Sequence, residues 1–318
     1  MTNDKSQILV SICCITYNHA PFIRQCLDGF LMQEPPTGVS ADEPWYEILI
    51  HDDASIDGTT EIIKEYAAKF PDKIFPLYET INQYTNGHKG DIDFFNYKRA
   101  RGKYIAYCEG DDFWTIPNKL KRQIDFMESH PDYSVCWHLA RIYETDTKKL
   151  RPLYYDFEKP MGEDEDITPE YFLRSSVGQP LSMVFRREMY DYEWVKHYTN
   201  FCDTMEEFHL LRVGKGRLMK FIGGQYNLQA SGVSATQPSI DRSIESCTDF
   251  LQMYVYTRED ILEPYIINIF LWCNRLCIQY KKMSEWGQVM AILRKTSMLM
   301  WVKVKMCIIK KQLRQLCH

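Results

Sequence analysis

Two clusters of acidic side chains follow apolar stretches of the chain. Asp52 and Asp53 come just after residues 48–50, and the sequence Glu-Gly-Asp-Asp at 109–112 follows residues 103–108. One such cluster is equally well explained by a turn or a helix cap. Two clusters that end two strands of one sheet favour a ligand site. Packed carboxylates repel one another, and they stay ionised together only around a cation or a hydrogen-bonded ligand.

The elements that must position these acids alternate between two hydrophobic periods. Apolar, β-branched runs predict buried strands, and apolar residues at helical spacing predict helices between them. The predicted strands are 8–16, 48–50, 73–78 and 103–108, and the predicted helices are 21–33, 57–70, 93–101 and 117–129. This order predicts an α/β fold of Rossmann-like type, with a mixed, mostly parallel sheet flanked by helices. Ligands bind such a sheet at the carboxyl ends of its strands, where both acidic clusters fall.

The pattern becomes mixed beyond residue 133 and helical near the C-terminus. We expect strands at 133–140 and 182–185, a helix at 206–213, a pair of strands at 218–228, and helices from about 241 onward. The sequence therefore predicts a catalytic domain over 1–235 and a helical C-terminal extension over 236–318. Within the catalytic domain we expect a nucleotide-binding half, 1–115, and an acceptor half, 116–235.

The sequence contains no glycine-rich phosphate loop. Neither GxGxxG nor GxxxxGK[ST] occurs, which excludes a dinucleotide Rossmann fingerprint and a P-loop. A nucleotide diphosphate bound by this fold would therefore need a metal ion to neutralise its phosphates. Asp111 and Asp112 follow a buried strand and Gly110, and carboxylate oxygens of this kind suit Mg²⁺ or Mn²⁺.

Four motifs occur in the order and spacing of one protein family. They are ITYN at 15–18, HDDASIDGT at 51–59, GKYIA with EGDDFW at 102–114, and PNKL with HPDYSVC at 117–136. Together they resemble the family 2 glycosyltransferases of the GT-A fold, which transfer sugars from nucleotide diphosphates. The resemblance covers about residues 8–235. It implies a GT-A fold, a nucleotide diphosphate sugar as donor, and a bound Mn²⁺ or Mg²⁺.

The resemblance assigns roles to the residues that match these motifs. It implies that Asp53 accepts a hydrogen bond from a base N–H, that Asp111 contacts the ribose, and that Asp112, with Asp111 beside it, binds the metal ion. The residues expected to contact the nucleotide sugar are Thr16, Tyr17, Asn18, Asp52, Asp53 and Asp111. Such roles suit carboxylates, which accept hydrogen bonds from imide N–H groups and hydroxyls and bind hard cations.

The resemblance places the catalytic base near the start of a late helix, in FCDTMEEFHLL at 201–211. Inverting transfer needs one carboxylate to take the proton from the acceptor hydroxyl. We expect Asp203 in this role, with Glu206 as the alternative. The competing interpretation is that Asp203 only caps the helix while Glu206 and Glu207 form a solvated face.

One position departs from the family pattern. The family often has a histidine at the position of Gln229, so a metal or phosphate contact from this loop is an open question. The sequence SGVS at 231–234 is retained, and we expect it to form a flap over the donor.

Charge and cysteine content restrict the class of protein. The 318 residues carry a net charge of −5, yet residues 281–318 hold nine Lys and Arg against Glu285 alone. The acidic remainder argues against a general nucleic-acid binder. The eleven cysteines include no CxxC pair, which predicts reduced thiols and a cytoplasmic protein. The sequence shows neither a signal-peptide pattern nor a run of 18 apolar residues, so we expect no membrane-spanning helix.

The basic C-terminal segment predicts an amphipathic helix. At about 100° per residue, one face carries Lys303, Lys310, Lys311 and Arg314, and the other side carries Trp301, Met306, Ile308, Ile309 and Leu313. Such a helix is typical of a peripheral protein on the anionic inner face of the cell membrane. A helix that simply packs on the rest of the protein explains the pattern equally well.

The resemblance, together with these features, implies a metal-dependent, inverting glycosyltransferase. We expect a UDP-linked sugar as donor and a glycan or lipid-linked acceptor in surface polysaccharide synthesis. One alternative is a sugar-nucleotide nucleotidyltransferase, but such enzymes usually have a glycine-rich basic loop where this chain has YNHA at 17–20. The other alternative is a non-catalytic module that binds glycans or nucleotides. The intact Asp53, Asp111, Asp112 and Asp203 argue against it.

Overall fold

The computed structural model describes residues 8–88, 92–151, 162–174, 177–199, 201–229 and 239–316. The chain divides into two compact units, one formed by residues 1–192 and 202–230, the other by residues 193–201 and 231–318. The predicted division at residue 235 stays a prediction; in these units residues 193–201 group with residues 231–318.

The first unit contains ten strands and six helices among the described residues. The strands are β1 Val10–Thr16, β2 Tyr46–Asp52, β3 Ile74–Tyr78, β4 Tyr104–Tyr107, β5 Phe113–Trp114, β6 Tyr133–Glu144, β7 Lys149–Leu150, β8 Glu165–Ile167, β9 Val184–Arg186 and β10 Lys215–Leu228. The helices are α1 Ile23–Leu31, α2 Thr59–Lys69, α3 Phe94–Tyr97, α4 Lys119–Ser129, α5 Pro169–Arg174 and α6 Asp203–Val213.

All ten strands belong to one mixed sheet. Its order is β3-β2-β1-β4-β9-β6-β10-β5, with β7 paired to β6 and β8 paired to β10. Strand β1 runs parallel to β2 and β4, β2 runs parallel to β3, and β6 runs parallel to β10. Strand β9 is antiparallel to β4 and β6. The structure therefore confirms the predicted α/β fold, a mixed sheet flanked by helices.

The register of the central strands brings the two acidic clusters to one edge of the sheet. Thr16 at the end of β1 pairs with Asp52 at the end of β2, and Cys13 of β1 pairs with Tyr107 at the end of β4. Because the three strands are parallel, the loops that follow them leave the sheet side by side.

Apolar side chains beneath this edge hold the strand ends in place. Ile12 of β1, Ile48 of β2, and Leu27 and Phe30 of α1 are fully buried in one hydrophobic core. Burial of each such side chain contributes about 1.5–3 kcal/mol to folding. The core therefore fixes the strand ends from which the acidic loops begin.

The segment predicted as a pair of strands at 218–228 is a single strand, β10, which corrects the prediction. Its register against β6 shifts near Met219 and Ile222, where the strand is irregular but does not turn back. Gly223 lies in this irregular part of the strand, and an added Cβ there would lie 2.7 Å from the ring of His138. The glycine therefore marks a close approach of the backbone to a side chain, and not a hairpin.

The helix predicted at 93–101 is a single turn, α3. Two side chains around its end bond to strands instead of solvent. The Asn96 amide donates to the carbonyl of Cys14 at 2.8 Å, and the Arg99 guanidinium donates to the carbonyls of Ile50 and Phe75. These bonds to the sheet, and not the helical propensity of the segment, determine its shape.

The second unit is helical, as predicted for the C-terminal extension. Its long helices are α7 Ser239–Thr257, α8 Glu263–Gln279, α9 Met283–Thr296 and α10 Met298–Leu316. Leu251, Phe270, Leu293 and Val304, one from each helix, are buried at 2% exposure or less. These helices therefore share an apolar interior of their own.

One helical stretch among the described residues, Asp260–Gln279, is long and apolar enough to cross a membrane, with 33% of its apolar window buried. The expectation that no helix spans a membrane stays a prediction, because length and hydropathy alone do not show that a helix crosses one. Asn268 and Arg275 interrupt the apolar run in this helix, but the mean hydropathy over the window still reaches 1.3. Ile266 and Phe270 of this stretch are buried.

Candidate active site

An acidic triad lies in the loop that follows β4. It consists of Glu109, Asp111 and Asp112, and one carboxylate oxygen of each lies within 4.8 Å of the others. The N–H of Gly110 donates to the carbonyl of Ile15 at 2.9 Å, so this loop is attached to the end of β1. The structure thus places the predicted metal ligands together and adds Glu109, which the sequence analysis did not select.

Thr16, predicted to contact the nucleotide, packs against the triad loop. An added Cβ at Gly110 would lie 2.5 Å from the Thr16 hydroxyl oxygen, so the loop can approach β1 this closely only with glycine. Thr16 Oγ1 lies 3.1 Å from His19 Nδ1, and His19 Nε2 lies 3.7 Å from Asp111 Oδ2. Burial lowers the pKa of His19, which favours the neutral ring. His19 was not among the predicted site residues, although it directly follows the ITYN motif.

The end of β10 holds the triad from the other side. The N–H of Asn227 donates to Asp112 Oδ1 at 2.7 Å, and the Asn227 amide donates to the carbonyl of Asp111 at 2.6 Å. Gln229 Nε2 donates to Asp111 Oδ2 at 2.8 Å. The residue that departs from the family pattern therefore binds a triad carboxylate directly.

The three carboxylates destabilise one another when ionised. Burial, followed by the charges of Asp111, Asp93 and Asp203, raises the pKa of Glu109 to about 8. Burial and the neighbouring charges of Asp111 and Glu109 raise the pKa of Asp112 well above its usual range. Within the described ranges, no Lys or Arg forms an ion pair with the triad.

A divalent cation fits this environment. The ion would offset the repulsion within the triad, and a set of carboxylate oxygens is what Mg²⁺ or Mn²⁺ prefers. The hydrogen bonds from Asn227 and Gln229 orient the carboxylates of Asp112 and Asp111 in the way that outer-shell partners orient metal ligands.

Asn18 joins the loops after β1 and β2. Its N–H donates to Ser55 Oγ at 2.9 Å, and its side-chain oxygen accepts from the N–H of Ile56 at 2.8 Å. The backbone of Asn18 is left-handed, with φ of 56°, a conformation that asparagine tolerates better than most residues. The neighbouring Tyr17 is 43% exposed. The structure thus gives Asn18 a role in shaping the site and leaves Tyr17 accessible to a ligand.

Asp52 and Asp53 are both buried and both bind nearby backbone. Asp52 Oδ1 accepts from the N–H of Ser55 at 3.2 Å. The two oxygens of Asp53 accept from the N–H groups of Gln83 at 2.6 Å and Tyr84 at 3.1 Å. These contacts fix the two loops at the sheet edge. The contact between Asp53 and a nucleotide base stays a prediction.

Asp203 is the first residue of α6, and Cys202 is its N-cap, so Asp203 does not cap the helix. Asp203 is exposed, and its Oδ1 accepts from the adjacent N–H of Thr204 at 2.8 Å. Desolvation nevertheless raises its pKa, and its charge in turn raises the pKa of Glu109. A carboxylate that is near the triad, reachable by solvent and raised in pKa has the properties of a general base.

Glu206 and Glu207 are 4% and 7% exposed, so the interpretation of a solvated face was wrong. Burial, with the charge of Asp93 next, raises the pKa of Glu206 well above its usual range. Burial likewise raises the pKa of Glu207, whose Oε1 accepts from Trp137 Nε1 at 2.8 Å. One side-chain oxygen of Glu206 is buried without a hydrogen-bond partner among the described residues. Glu206 therefore remains a second candidate for the base.

The flap predicted at 231–234 lies outside the described residues.

Solved structures of similar fold bind nucleotide sugars. S. aureus TarS in complex with UDP-GlcNAc has a TM-score of 0.60 at 13% identity, covering 91% of this chain and 81% of that chain. A mannosyltransferase from Pyrobaculum calidifontis in complex with GDP-Man and Mn²⁺ has a TM-score of 0.55 at 15% identity, covering 96% of this chain and 81% of that chain. At these identities the similarity establishes the GT-A fold alone.

Sequence comparisons point the same way. An uncharacterised protein of Mycobacterium bovis is 36% identical over 180 residues, which are 56% of this chain and 47% of the relative. The chain thus spans about half the length of this curated relative. The sequence model described as Glycosyl transferase family 2 matches residues 11–194, more than half of the chain and the whole of the acidic triad. The chain belongs to glycosyl transferase family 2.

Proposed function

We propose that the protein is an inverting glycosyltransferase that uses a nucleotide diphosphate sugar, UDP-linked by preference. The observation that carries the proposal is the acidic triad of Glu109, Asp111 and Asp112, placed at the carboxyl ends of parallel strands and oriented by Asn227. The family and the two solved structures support a nucleotide-sugar donor.

The triad would hold Mn²⁺ or Mg²⁺ next to the donor diphosphate. When bound, the ion supplies positive charge that stabilises the leaving diphosphate. Asp112 is held in place by the backbone of Asn227, and Asp111 by Gln229, so both are pre-oriented for this task. The neutral His19 ring connects Asp111 to Thr16, where the nucleotide is expected.

A second carboxylate would perform the proton transfer. Asp203 would accept the proton from the acceptor hydroxyl as its oxygen attacks the anomeric carbon. The bond to the diphosphate breaks on the opposite side, so the configuration inverts. The raised pKa of Asp203 supports this role, because a general base works best when its pKa approaches the working pH. The acceptor would be a glycan or a lipid-linked sugar in surface polysaccharide synthesis on the cytoplasmic side.

Thermal unfolding with a panel of nucleotide sugars, with and without Mn²⁺, tests this function. A cognate donor at a hundred times its Kd should raise the free energy of unfolding by about 2.7 kcal/mol, and only when metal is present. Asp112→Asn should remove this metal-dependent gain. The matched control Asp132→Asn, an exposed carboxylate paired with Lys215 at 2.7 Å, should retain it.

Product analysis completes the test. NMR of the transferred sugar should show the anomeric configuration opposite to that of the donor. A donor that binds with metal but is neither transferred nor hydrolysed would instead indicate a binding module. Metal-dependent stabilisation that survives Asp112→Asn would contradict the assignment of the triad.

A further inference from the structure

Helix α10 of the second unit has two apolar sides, and only one of them is covered. Met300 and Val304 are buried at 1% and 0% exposure and pack α10 onto the neighbouring helices. A second row of large apolar side chains is exposed, and we call it the apolar stripe: Leu299 at 62%, Val302 at 43%, Met306 at 50% and Ile309 at 46%. Spacings of three, four and three residues place these four on one face of the helix. The stripe is therefore not what holds the helix in the unit.

Lysines flank the stripe on both sides. At about 100° per residue, Lys305 falls on one flank and Lys310 on the other, and both are exposed. Lys305 Nζ lies 4.4 Å from the ring centroid of Trp301, which holds it at the edge of the stripe. Lys303, by contrast, is neutralised by its pairing with Glu263 of α8.

The surrounding sequence is positively charged and contains few acidic residues that could neutralise this charge. Residues 281–310 contain seven Lys and Arg, and their one acidic residue, Glu285, is paired with Lys282 at 3.1 Å. An exposed apolar row bordered by lysines matches a surface that is apolar inside and anionic at its boundary. A second copy of the stripe is a poor partner, because it would bring the lysines of both helices together.

We propose that the apolar stripe docks the protein on an anionic lipid surface, with Lys305 and Lys310 reaching the headgroups. Lysine stems can lie along apolar surface while their charges stay in the headgroup region. The sequence alone favoured a face that included Trp301 and Ile308, but both are half-buried. The docking face therefore contains Leu299 and Val302 in place of Trp301 and Ile308. The inference does not depend on the catalytic assignment.

Co-sedimentation of the full chain with vesicles tests the proposal. The protein should sediment with phosphatidylcholine vesicles that contain phosphatidylglycerol and stay in solution with phosphatidylcholine alone. Binding should weaken steeply in 1 M salt, where the Debye length falls to about 3 Å. If the intact protein did not sediment with the anionic vesicles, the proposal would be overturned. An acidic protein surface would then be the better candidate partner for the stripe.

Variants assign the binding to the stripe. The double variant Val302→Glu, Met306→Glu should lose vesicle binding with an unchanged melting temperature, because neither side chain is buried. Leu150→Glu, on a leucine that is 53% exposed in the first unit, controls for an added surface charge and should bind normally. Unchanged binding of the double variant would refute the stripe. If the wild-type protein were a dimer in sedimentation velocity and this variant a monomer, the stripe would bind a second copy of the chain. That result would refute our proposal.

The lysines give a second, milder test that does not depend on the folding of the double variant. Lys305→Gln and Lys310→Gln should each weaken binding to anionic vesicles by about fivefold. Donor-dependent stabilisation should be unchanged in both, since neither lysine is among the residues expected to contact the donor. Vesicle binding that responds neither to these replacements nor to salt would contradict an electrostatic docking surface.

Discussion

Lys119, at the start of α4, offers a sharp test of how the structure distributes charge. Its side chain is fully buried, and Nζ lies 3.8 Å from the ring centroid of Trp114. Nζ has no hydrogen-bond partner among the described residues. Burial lowers the pKa of Lys119 to about 7. The folded protein thus holds an amine that prefers to be neutral, whereas the unfolded chain keeps it charged.

The sign of the pH dependence follows from this difference. Between about pH 7 and pH 10.5 the unfolded chain binds a proton that the folded protein does not, so the free energy of unfolding rises with pH across this window. At about 1.36 kcal/mol per unit of pKa shift, burial of Lys119 costs about 4 kcal/mol of stability at pH 7. About 2 kcal/mol of this cost is relieved by pH 9.

Replacement of Lys119 by methionine should therefore stabilise the protein and flatten its pH profile. Methionine fills a similar volume and contacts Trp114 favourably through its sulfur. Urea unfolding followed by tryptophan fluorescence, at pH 7 and pH 9, measures the effect. The gain in stability of Lys119→Met over wild type should be about 2 kcal/mol larger at pH 7 than at pH 9. Other groups that titrate in this range cancel in the difference between the two proteins.

Lys121→Met on the same helix is the matched control. Lys121 is partly exposed and paired with Asp125 at 3.0 Å, so its replacement should change stability by less than about 1 kcal/mol and equally at both pH values. If the advantage of Lys119→Met were the same at pH 7 and pH 9, the amine would be charged in the folded protein and the reasoning above would fail.

The remaining predictions concern the site and the helical unit. Asp203→Asn should lower kcat by about 10²–10⁴-fold with little change in donor Kd, measured by steady-state kinetics and calorimetry. If kcat fell only in Glu206→Gln, Glu206 would be the base. Gly110→Ala should weaken donor binding, because its Cβ would lie 2.5 Å from the Thr16 hydroxyl, whereas Gly162→Ala, which contacts nothing within 4 Å, should not. Gly287→Ala within α9, also without contacts, should raise the free energy of unfolding by about 1 kcal/mol in urea titrations.

The sequence could predict those parts of the site whose residues are neighbours in the chain. Asp111 and Asp112 directly follow an apolar strand, and the acid cluster at 109–112 is visible as a unit. Glu109 belongs to the same cluster, but only the observed distances show that its carboxylate joins the other two. Asn227 donates to Asp112 across 115 residues, and no local pattern could reveal that bond.

Burial of charged residues was the hardest property to predict. Two consecutive glutamates after Asp203 suggest a solvated face because such residues are usually exposed. Glu207 is buried, and its hydrogen-bond donor, the indole N–H of Trp137, lies 70 residues away in the chain. The orientation of α10 was ambiguous for a related reason. Its apolar residues form two rows, and the pairing of Lys303 with Glu263 helps decide which row faces inward.

The direct connection between α6 and β10 has a consequence for how this protein can evolve. Gly214 alone separates Val213 at the end of α6 from Lys215 at the start of β10, and an added Cβ at Gly214 would lie 2.7 Å from Ser134. The proposed base, Asp203, and the residue that orients the triad, Asn227, therefore belong to one uninterrupted stretch. A one-residue insertion within β10 would turn the following side chains to the opposite face of the sheet. Among relatives that keep catalysis we therefore expect residues 203–229 to align without gaps, so that new acceptor specificities arise by changes of length elsewhere in the chain.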